Sequence, residues 1–211
     1  RFAAKYRNVF SSMKIPILIP TYNAQTFISE SLAILRKQSV ANHVLIFDCG
    51  SKDQTLHIVQ GSAQIEHISC EDFDHGTTRN AAVRLADGCE YLVFMTQDAV
   101  CADEKTIENL IKPLEDPMIA VSYARQVPRE GADAIEAFTR KFNYPEKSVL
   151  KTQADLGRLG VKTYFCSNSC AAYRADVFRK LGGFEERVGT NEDMLFAAKA
   201  IQEGYGVYYA A

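Results

Sequence analysis

The sequence predicts an α/β fold in which a mostly parallel β-sheet is covered by helices on both faces. Three observations lead to this prediction: apolar strand-like runs alternate with helical runs, the connections between them are short, and polar residues or glycines follow the strand-like runs. Strands and helices that alternate in this way form the repeating unit of a parallel sheet. Because open sheets of this kind bind ligands beyond the carboxyl ends of their strands, those polar residues are the first candidates for a functional site.

The first half of the chain is predicted to contain four strands separated by three helices. The strand-like runs are 14–23, 43–53, 64–70 and 89–98, and the helical runs are 26–39, 54–63 and 76–88. Apolar residues recur at helical spacing in the first helix, for which Thr26 is the predicted N-cap. Asp53 is placed to cap the second helix, and Gly88 ends the third.

The second half contains a less regular region between two ordered parts. We expect a helix over 104–116 that Pro113 disturbs, and a fifth strand over 118–127. Residues 130–162 are polar and irregular, which predicts a long functional loop or a helical insertion. The remainder predicts two short strands and a helix within 163–184, a helix over 191–205, and a final strand over 206–211.

Composition is that of an ordinary globular protein. The 211 residues are 47% hydrophobic and 24% charged, so the chain can bury a core, and we expect one domain over residues 1–211. A formal net charge of -2 does not favour nucleic acid as a partner. No apolar run approaches the ~18 residues that span a bilayer. Because the chain does not begin with Met and stops in a strand-like run, we expect a fragment that lacks a C-terminal segment through which the protein could attach peripherally to a membrane.

Six scattered cysteines, each in an apolar context, predict reduced thiols in a cytoplasmic protein. Cys166 and Cys170 form a C-x-x-x-C pair without a second pair or a nearby histidine, so no zinc site is predicted.

Carboxylates follow two of the predicted strands, and a further pair opens a helix. Asp48 and Asp98 stand at strand ends, and Glu192 and Asp193 stand in the first turn of a helix. Taken singly, Asp48 could be a turn residue and Asp98 a helix cap. Glu192 and Asp193 could stand in the first turn because the helix dipole favours acids there. Together they suggest a crevice in which hard oxygen ligands bind Mg²⁺ or Mn²⁺ beside a diphosphate.

Common nucleotide and hydrolase motifs are missing from the sequence. No G-x-G-x-x-G follows the first strand, no G-x-x-x-x-G-K-[ST] occurs, and no G-x-S-x-G occurs. These absences disfavour a dinucleotide site, a P-loop and an α/β-hydrolase, and they leave a nucleotide held by other loops.

Six segments together resemble glycosyltransferase family 2, in order and in spacing over nearly the whole chain. They are PILIPTYN (16–23), FDCGSKDQT (47–55), TRNAA (78–82), MTQDA (95–99), GGFEE (182–186) and NEDMLFA (191–197). The resemblance implies inverting nucleotide-sugar transferases with a GT-A fold, which is a Rossmann-like, mostly parallel sheet. FDHGTTRN (73–80) followed by TQDA is similar to the rhamnosyltransferase-type branch, which builds bacterial surface polysaccharides.

This resemblance implies a role for most of the strand-end residues. Tyr22 would lie against the base, Asp48 would accept a hydrogen bond from the pyrimidine ring, and Asp98 would hold the Mg²⁺ or Mn²⁺ that bridges the phosphates. The family usually has D-x-D here, whereas this chain has Thr96-Gln97-Asp98 with one acid. The other residues expected to contact the nucleotide are Pro20, Thr21, Asn23, Arg79, Asn80 and Gln97. Arg79 alone could equally be a solvated helix residue.

The resemblance also implies the chemistry. Asp193 of the Glu192–Asp193 pair would take the proton from the acceptor hydroxyl and Glu192 would support it, although the two roles could be exchanged. His75, Ser167 and Asn168 are candidates for the acceptor side. His75 could instead be structural, and Ser167 and Asn168 could make hydrogen bonds in the core.

The predicted function is therefore transfer of a sugar from dTDP-rhamnose or a UDP-sugar to a hydroxyl of a glycan or lipid-linked acceptor. The predicted location is the cytoplasm, at the inner face of the membrane. Two alternatives remain at this point: an inactive relative that still binds nucleotide-sugar, and a nucleotidyltransferase-like enzyme. A nucleotidyltransferase-like enzyme would need a signature of the G-x-G-T-R type, and the segment LIPTYNAQT is not one.

Overall fold

An eight-stranded mixed sheet is the centre of the part of the chain that the computed structural model describes, residues 15–86, 88–129 and 131–211. The spatial order of its strands is β3-β2-β1-β4-β7-β5-β8-β6. The strands are β1 (Ile15–Thr21), β2 (Asn42–Asp48), β3 (Gln64–His67), β4 (Tyr91–Met95), β5 (Ile119–Ala124), β6 (Val149–Lys151), β7 (Cys170–Arg174) and β8 (Gly206–Ala210).

Helices cover both faces of the sheet. They are α1 (Ile28–Leu35), α2 (Thr55–Val59), α3 (His75–Leu85), α4 (Thr106–Ile111), α5 (Ala134–Asn143), α6 (Leu156–Leu159), α7 (Ala175–Lys180) and α8 (Glu192–Gln202), and short 3₁₀ turns lie between some of them. No helix within the described ranges combines the length and the apolar character needed to cross a bilayer.

Alternate residues of the central strands supply two separate cores. Ile17 and Ile19 of β1 pack with α1, α2 and α4, whereas Leu18 between them packs with α3, α7 and α8. All three are fully buried, as expected for a strand whose side chains point to opposite faces and meet helices on each. This arrangement confirms the predicted fold class.

Strand β7 gives the sheet its mixed character. It lies between β4 and β5 and is antiparallel to both, and β6 is antiparallel to β8 at the sheet edge. The remaining neighbours, β1 with β2 and β4, β2 with β3, and β5 with β8, are parallel. The sheet is therefore mostly parallel, as predicted, with β6 and β7 reversed.

Three local predictions are wrong. Thr26 does not cap α1, because the helix begins at Ile28 and the residue before it is Phe27, which makes no side-chain cap. The first of the two short strands predicted within 163–184 is absent, because residues Gly160–Tyr164 form a 3₁₀ turn and only β7 follows as a strand. Asp53 is not the N-cap of α2 either, because Gln54 holds that position without a side-chain cap, but Asp53 accepts hydrogen bonds from the backbone and hydroxyl of Thr55 just before the helix.

The irregular region is a helical insertion that also contains strand β6. Helix α5, β6 and α6 lie within it. Three residues of the predicted elements lie outside the described residues. They are Lys14 in the first strand, Asp87 in the third helix and Glu130 at the start of the insertion.

Candidate functional site

The ends of β1 and β2 are held together by the carboxylate of Asp48. These strands are parallel neighbours with Thr21 opposite Asp48. Asp48 is fully buried, and its oxygens accept hydrogen bonds from the Thr21 hydroxyl at 3.3 Å and from the backbone nitrogens of Gly50 and Ser51 at 2.9 Å each. The Ser51 hydroxyl adds a fourth, at 2.5 Å. Asp48 therefore shapes the loop after β2, and its predicted contact with a base stays a prediction.

A cleft of about 490 Å³ opens above these strand ends, and we call it the first cleft. It lies beyond the carboxyl ends of β1 and β4, where open α/β sheets bind ligands. Its walls are partly apolar and partly polar, formed by Pro20, Thr21, Tyr22, Cys49, Cys70, Phe73, His75, Arg79, Thr96 and Gln97. Five of the residues predicted to contact a nucleotide, Pro20, Thr21, Tyr22, Arg79 and Gln97, thus line one cavity.

Gln97 fixes the rim of the first cleft. Its side-chain amide accepts from the backbone nitrogen of Tyr22 at 2.7 Å and donates to the backbone oxygen of Tyr22 at 3.2 Å. The Tyr22 ring is 48% exposed, so a flat ligand can pack against it. Asn23 does not line the cleft, contrary to its predicted role. Its side chain accepts from the backbone of Lys52, and its backbone donates to Ser51, so it ties the loop after β1 to the loop after β2.

Two buried polar atoms in the wall of the first cleft have no hydrogen-bond partner among the described residues. They are Nε of Arg79 and Nδ1 of His75. Arg79 is only 3% exposed, and the His75 ring packs edge-on against Phe73 with 5.0 Å between ring centroids. Buried polar groups are normally satisfied, so an unsatisfied pair on a cavity wall suits a polar ligand. His75 lines the first cleft, so the structure does not bring it together with Ser167 and Asn168, and its predicted role on the acceptor side stays a prediction.

Arg79 also reaches the start of α8. Its Nη1 lies 2.6 Å from Oε1 of Glu192, and both side chains are almost fully buried. The same oxygen accepts from Nδ2 of Asn168 at 3.0 Å, and Asn168 in turn accepts from the hydroxyl of Tyr173 at 2.8 Å. Asn168 is 3% exposed. It therefore makes the core hydrogen bonds that were one of its two predicted roles, and it holds Glu192 in place.

Asp193 has a different environment from Glu192. Its oxygens accept from the backbone nitrogens of Asn168 at 2.9 Å and Met194 at 2.8 Å, and no basic side chain forms an ion pair with it among the described residues. Burial, together with the nearby charge of Glu192, raises the pKa of Asp193. A half-buried carboxylate with a raised pKa suits a general base better than Glu192, whose charge is held by Arg79.

Asn80 does not face either cleft, so the structure gives it a role other than the predicted contact with phosphates. Its amide donates to the backbone oxygen of Phe184 and accepts from the backbone nitrogen of Phe184, each at 2.9 Å. Gly183 has φ +77°, and a Cβ there would come within 2.6 Å of Oδ1 of Asn80. Asn80 and Gly183 thus fix the loop that precedes α8.

A second cleft of about 390 Å³ lies on the other side of the end of β4. Thr96 lines both clefts, whereas Asp98 lines only the second. The second cleft carries more basic than acidic side chains, since Arg125, Arg129 and Arg140 line it together with Asp98 and Glu136. Arg129 donates to the backbone oxygen of Asp98 and stacks on Phe27, with the guanidinium 4.0 Å from the ring centroid.

Ser167 stands just behind the second cleft. Its hydroxyl accepts from Gln126 at 2.8 Å, and Gln126 and Ser169 line the cleft. Asp193 lines neither cleft and is bonded to the backbone of Asn168, next to Ser169. The segment Ser167–Ser169 therefore joins the predicted base to the second cleft.

The position of Asp98 suits a metal ion whose other ligands come from a bound substrate and water. Its side chain is exposed at the end of β4, and no cluster of three or more His, Cys, Asp or Glu side chains suited to a metal occurs in the described part of the chain. Mg²⁺ in nucleotide enzymes is commonly held by one or two carboxylates together with substrate phosphates and water. A single acid at Asp98 is compatible with this kind of site.

Several residues of the site were missed by the sequence predictions. Cys49, Cys70 and Phe73 line the first cleft, and Arg125, Gln126, Arg129 and Arg140 belong to the second. The run ARQVPR after β5 was a signal for the second group, because its basic and polar residues follow a strand end. Arg140 lies on α5, within the insertion, and only the folded chain brings it there.

Comparison with known proteins agrees with this geometry. The family described as "Glycosyl transferase family 2" matches residues 17–182. The chain is 43% identical over 202 residues to the O-antigen chain rhamnosyltransferase RfbN of Salmonella typhimurium, covering 94% of this chain and 64% of the relative. It is 38% identical to the O-antigen chain rhamnosyltransferase WbaN of Salmonella anatum, covering 92% and 63%. The chain thus spans less than two thirds of the length of these relatives.

Solved structures share the fold. TarS of Staphylococcus aureus in complex with UDP-GlcNAc has a TM-score of 0.68 at 24% identity, over 94% of this chain and 58% of that chain. The mannosyltransferase PcManGT from Pyrobaculum calidifontis, in complex with GDP-Man and Mn²⁺, has a TM-score of 0.68 at 21% identity, over 97% and 59%. These similarities confirm the GT-A arrangement of the sheet and helices.

Proposed function

Because the chain belongs to glycosyl transferase family 2, we propose that it transfers a sugar from a nucleoside-diphosphate-sugar to a hydroxyl of a glycan or lipid-linked acceptor, with inversion at the sugar carbon. The process is the synthesis of a bacterial surface polysaccharide. The observation that best supports this proposal is the buried Arg79, which has an unpartnered Nε on the wall of the first cleft and binds Glu192 through Nη1. One side chain thereby joins a ligand cleft to the predicted catalytic pair.

The first cleft is the proposed site of the nucleotide. Tyr22 packs against the base, Thr21 and Asp48 shape the floor, and Gln97 holds the rim. Arg79 supplies an unpartnered donor and His75 an unpartnered ring nitrogen, and Arg79 suits a phosphate because its guanidinium keeps its charge and donates several hydrogen bonds. The preferred donor is dTDP-rhamnose, because the relatives RfbN and WbaN are named rhamnosyltransferases. A UDP-sugar is the alternative.

Asp98, which lines the second cleft close to Thr96 of both clefts, would hold a Mg²⁺ or Mn²⁺ ion. When bound there, such an ion supplies positive charge to the leaving diphosphate. The guanidinium of Arg129, which donates to the backbone of Asp98, adds a fixed positive charge at the same place. This charge would act on the leaving diphosphate, and it does not replace the missing first acid of the usual D-x-D as a metal ligand.

The second cleft is the proposed acceptor side, with Asp193 as the base. The acceptor hydroxyl gives its proton to the Asp193 carboxylate while its oxygen bonds to the sugar carbon, and the bond from that carbon to the diphosphate oxygen breaks. General base assistance of this kind contributes about 10²–10⁴-fold in rate. Glu192 stays charged and paired with Arg79, and Asn168 positions both acids. Ser167 orients Gln126 at the cleft wall.

The proposed location is the inner face of the cytoplasmic membrane, with peripheral attachment. Helix α5 supports this proposal because Ile135, Phe138 and Phe142 are 79%, 70% and 60% exposed. Phe138 and Phe142 stack on each other, and the Lys162 ammonium lies 3.6 Å from the centroid of Phe142. An exposed apolar helix face with basic neighbours suits an anionic bilayer surface. Sedimentation with phosphatidylglycerol vesicles tests this, and equal binding by wild type and Phe138→Ser/Phe142→Ser would refute it.

Titration calorimetry with a panel of nucleotide-sugars tests the proposed function. The panel contains dTDP-rhamnose, UDP-glucose, UDP-galactose, UDP-N-acetylglucosamine and GDP-mannose, each with and without Mn²⁺. We expect one pyrimidine donor to bind, more tightly with Mn²⁺, and we expect Asp98→Ala to lose the effect of Mn²⁺ while retaining weak binding. Asp116→Ala is the matched control, because Asp116 is an acid in a loop outside both clefts.

The same titration separates the alternatives. Donor binding without transfer or slow donor hydrolysis would identify an inactive nucleotide-sugar-binding relative. Preference for a nucleoside triphosphate over every nucleotide-sugar would favour a nucleotidyltransferase-like enzyme. Failure of all five donors to bind would contradict the proposed nucleotide site.

A further inference from the structure

Two thiols face each other in the wall of the first cleft. Sγ of Cys49 lies 2.7 Å from Sγ of Cys70, and both residues line the cleft. The Cys70 thiol also donates to the backbone oxygen of Cys49. A disulfide has an S–S distance of about 2.05 Å, so a small movement would join the two sulfur atoms.

The fold creates this pair rather than local sequence, because 21 residues separate the two cysteines. Cys49 directly follows β2, and its backbone nitrogen binds the oxygen of Thr21 at 2.9 Å. Cys70 begins the 3₁₀ turn that follows β3, the parallel neighbour of β2. The ends of these two strands therefore hold the thiols together on the surface that faces the cleft.

The two thiols differ in exposure. Cys49 is buried, at 6% exposure, whereas Cys70 is exposed. Burial and the neighbouring Cys70 thiol raise the pKa of Cys49 to about 11. Cys49 is therefore protonated at neutral pH and is a poor first nucleophile, while Cys70 is open to a small oxidant.

We propose that Cys49 and Cys70 form a reversible redox site that a hydroperoxide converts to a disulfide, and that nucleotide in the first cleft protects this site. The Cys70 thiolate attacks a peroxide oxygen, the O–O bond breaks, and Cys70 becomes a sulfenic acid with release of water or an alcohol. The Cys49 sulfur then attacks the sulfur of Cys70, hydroxide leaves, and the proton of Cys49 completes a water molecule. Two thiols and one hydroperoxide thus give one disulfide.

Protection of the two thiols by nucleotide rests on the proposed function, whereas formation of the disulfide does not. A nucleotide in the first cleft would cover both sulfur atoms and bind the reduced wall in its present shape. If nucleotide favours the reduced pair, then the disulfide must weaken nucleotide binding by the same factor, because coupling between two sites is reciprocal. In a reducing cytoplasm such a bond would be transient, as is usual for redox-sensing disulfides.

The chain contains its own comparison pair. Cys101 and Cys170 line the second cleft, and the hydrogen bond with the Cys101 thiol raises the pKa of Cys170 well above its ordinary value. Cys101 is buried and Cys170 is half-buried, so neither presents a fully exposed thiol. We expect this pair to resist the oxidant that converts Cys49 and Cys70.

The experiment is oxidation of the reduced protein with hydrogen peroxide, followed by alkylation of free thiols and mass spectrometry of the peptides. We expect a cross-link between Cys49 and Cys70 with loss of two hydrogen atoms, reversed by dithiothreitol. UDP or dTDP at saturation should slow the reaction by covering the sulfur atoms, and the disulfide should weaken binding of the same nucleotide about tenfold, which is within the usual range of coupling between sites.

Variants of Cys49 and Cys70 show which thiol is oxidised first and which one then forms the disulfide. Cys49→Ser should stop at a sulfenic acid on Cys70 that dimedone traps, and Cys70→Ser should form neither product. Absence of the cross-link in wild type, or faster cross-linking of Cys101 with Cys170, would overturn the redox site. Formation of the cross-link without protection by nucleotide would overturn only the protection, and with it the placement of the nucleotide beside these thiols.

Discussion

Arg79 and Glu192 form a buried ion pair between residues that are 113 positions apart in the chain. The pair joins α3, on the wall of the first cleft, to the first turn of α8. A buried charge that loses its partner costs far more than the pair contributes. The structure therefore predicts that neither residue can be changed alone without a loss of stability, whatever its role in catalysis.

A double-mutant cycle measures this dependence. We expect Arg79→Met or Glu192→Met alone to lower the free energy of unfolding by about 3–5 kcal/mol, because each leaves a buried charge unpaired. The double variant Arg79→Met/Glu192→Met should recover part of that loss in urea denaturation. If the two single losses simply add in the double variant, the two side chains do not interact as described.

Asp193 is the residue whose loss should affect chemistry alone. We expect Asp193→Asn to lower transfer by about 10²–10⁴-fold, the usual contribution of a general base, and to leave the donor dissociation constant nearly unchanged. Transfer assays and calorimetry on the same preparation measure both quantities. Preserved transfer with weakened donor binding would contradict the assignment.

The pH dependence of transfer follows from the environment of Asp193. Burial raises its pKa, and only the deprotonated carboxylate accepts the proton. Activity should therefore fall as pH decreases through a pKa above 3.8, the ordinary value of an aspartate. A profile of kcat/KM against pH should show this acidic limb in wild type, and the residual activity of Asp193→Asn should lack it.

At the residue scale, the sequence predicted the positions of the strand-end residues better than their contacts. Tyr22, Arg79 and Gln97 line one cleft as expected. Asn80 and Asn23 do not, because their amides bind backbone groups of neighbouring loops. A motif indicates which residues follow a strand, but which way an amide points depends on loops that are distant in sequence.

At the scale of elements, α3 approaches the loop before α8 so closely that only glycine fits at its start. A Cβ on Gly76 would overlap the backbone oxygen of Glu185. Asp74 reinforces the contact, since its side chain accepts from the backbone nitrogens of Thr77 and Arg187. This loop leads into α8, so the packing of Gly76 helps to set the position of the helix that carries Glu192 and the proposed base Asp193.

Substitution of Gly76 tests this packing. We expect Gly76→Ala to destabilise the protein by about 1–3 kcal/mol, as overpacking usually does, and to reduce transfer because the start of α8 must shift. Gly157→Ala in α6 is the matched control, because a Cβ there meets nothing within 4 Å. The control should be neutral or more stable by about 0.4–1 kcal/mol in thermal unfolding. Equal behaviour of the two variants would contradict the contact.

The sequence predicted most strands of the sheet but not their spatial order. Apolar runs identified β1, β2, β4 and β5, because a strand that is buried on both faces has few polar residues, whereas β3 is a partly exposed edge strand. The position of β7 between β4 and β5 could not be read in the same way, because pairing depends on which strand arrives beside which after folding. The missing strand before β7 has a similar cause, since the residues around Thr163 are apolar enough for a strand but form a turn.

At the scale of the whole molecule, buried thiols and one buried lysine control stability at alkaline pH. Burial raises the pKa of Cys166 to about 12 and, with neighbouring thiols, raises that of Cys49 and Cys170. In the unfolded chain these thiols ionise near 9.0, so their contribution is complete below that pH and is lost above it. Burial lowers the pKa of Lys151 to about 8. The contribution of this residue to stability therefore increases with pH between pH 8 and pH 10.5, opposite to that of the thiols.

The thiols outnumber the lysine, so the protein should become less stable above pH 9. The expected slope is on the order of 1.4 kcal/mol per pH unit for each net group. Urea denaturation at pH 8, 9 and 10 measures it, and Cys166→Ala should show a shallower decline although it begins from a lower stability. A free energy of unfolding that rises from pH 9 to pH 10 would contradict this balance.

The antiparallel insertion of β7 also affects how the protein can be made. Until residues Cys170–Arg174 leave the ribosome, β4 and β5 have no common neighbour, and each presents an open hydrogen-bonding edge. A nascent chain that ends after β5 already contains Tyr22, Arg79 and Gln97, yet the partners of Arg79 at α8 have not been synthesised. The first cleft is therefore complete in sequence long before it can be complete in structure, and a chaperone that covers the edges of β4 and β5 would protect the chain during that interval.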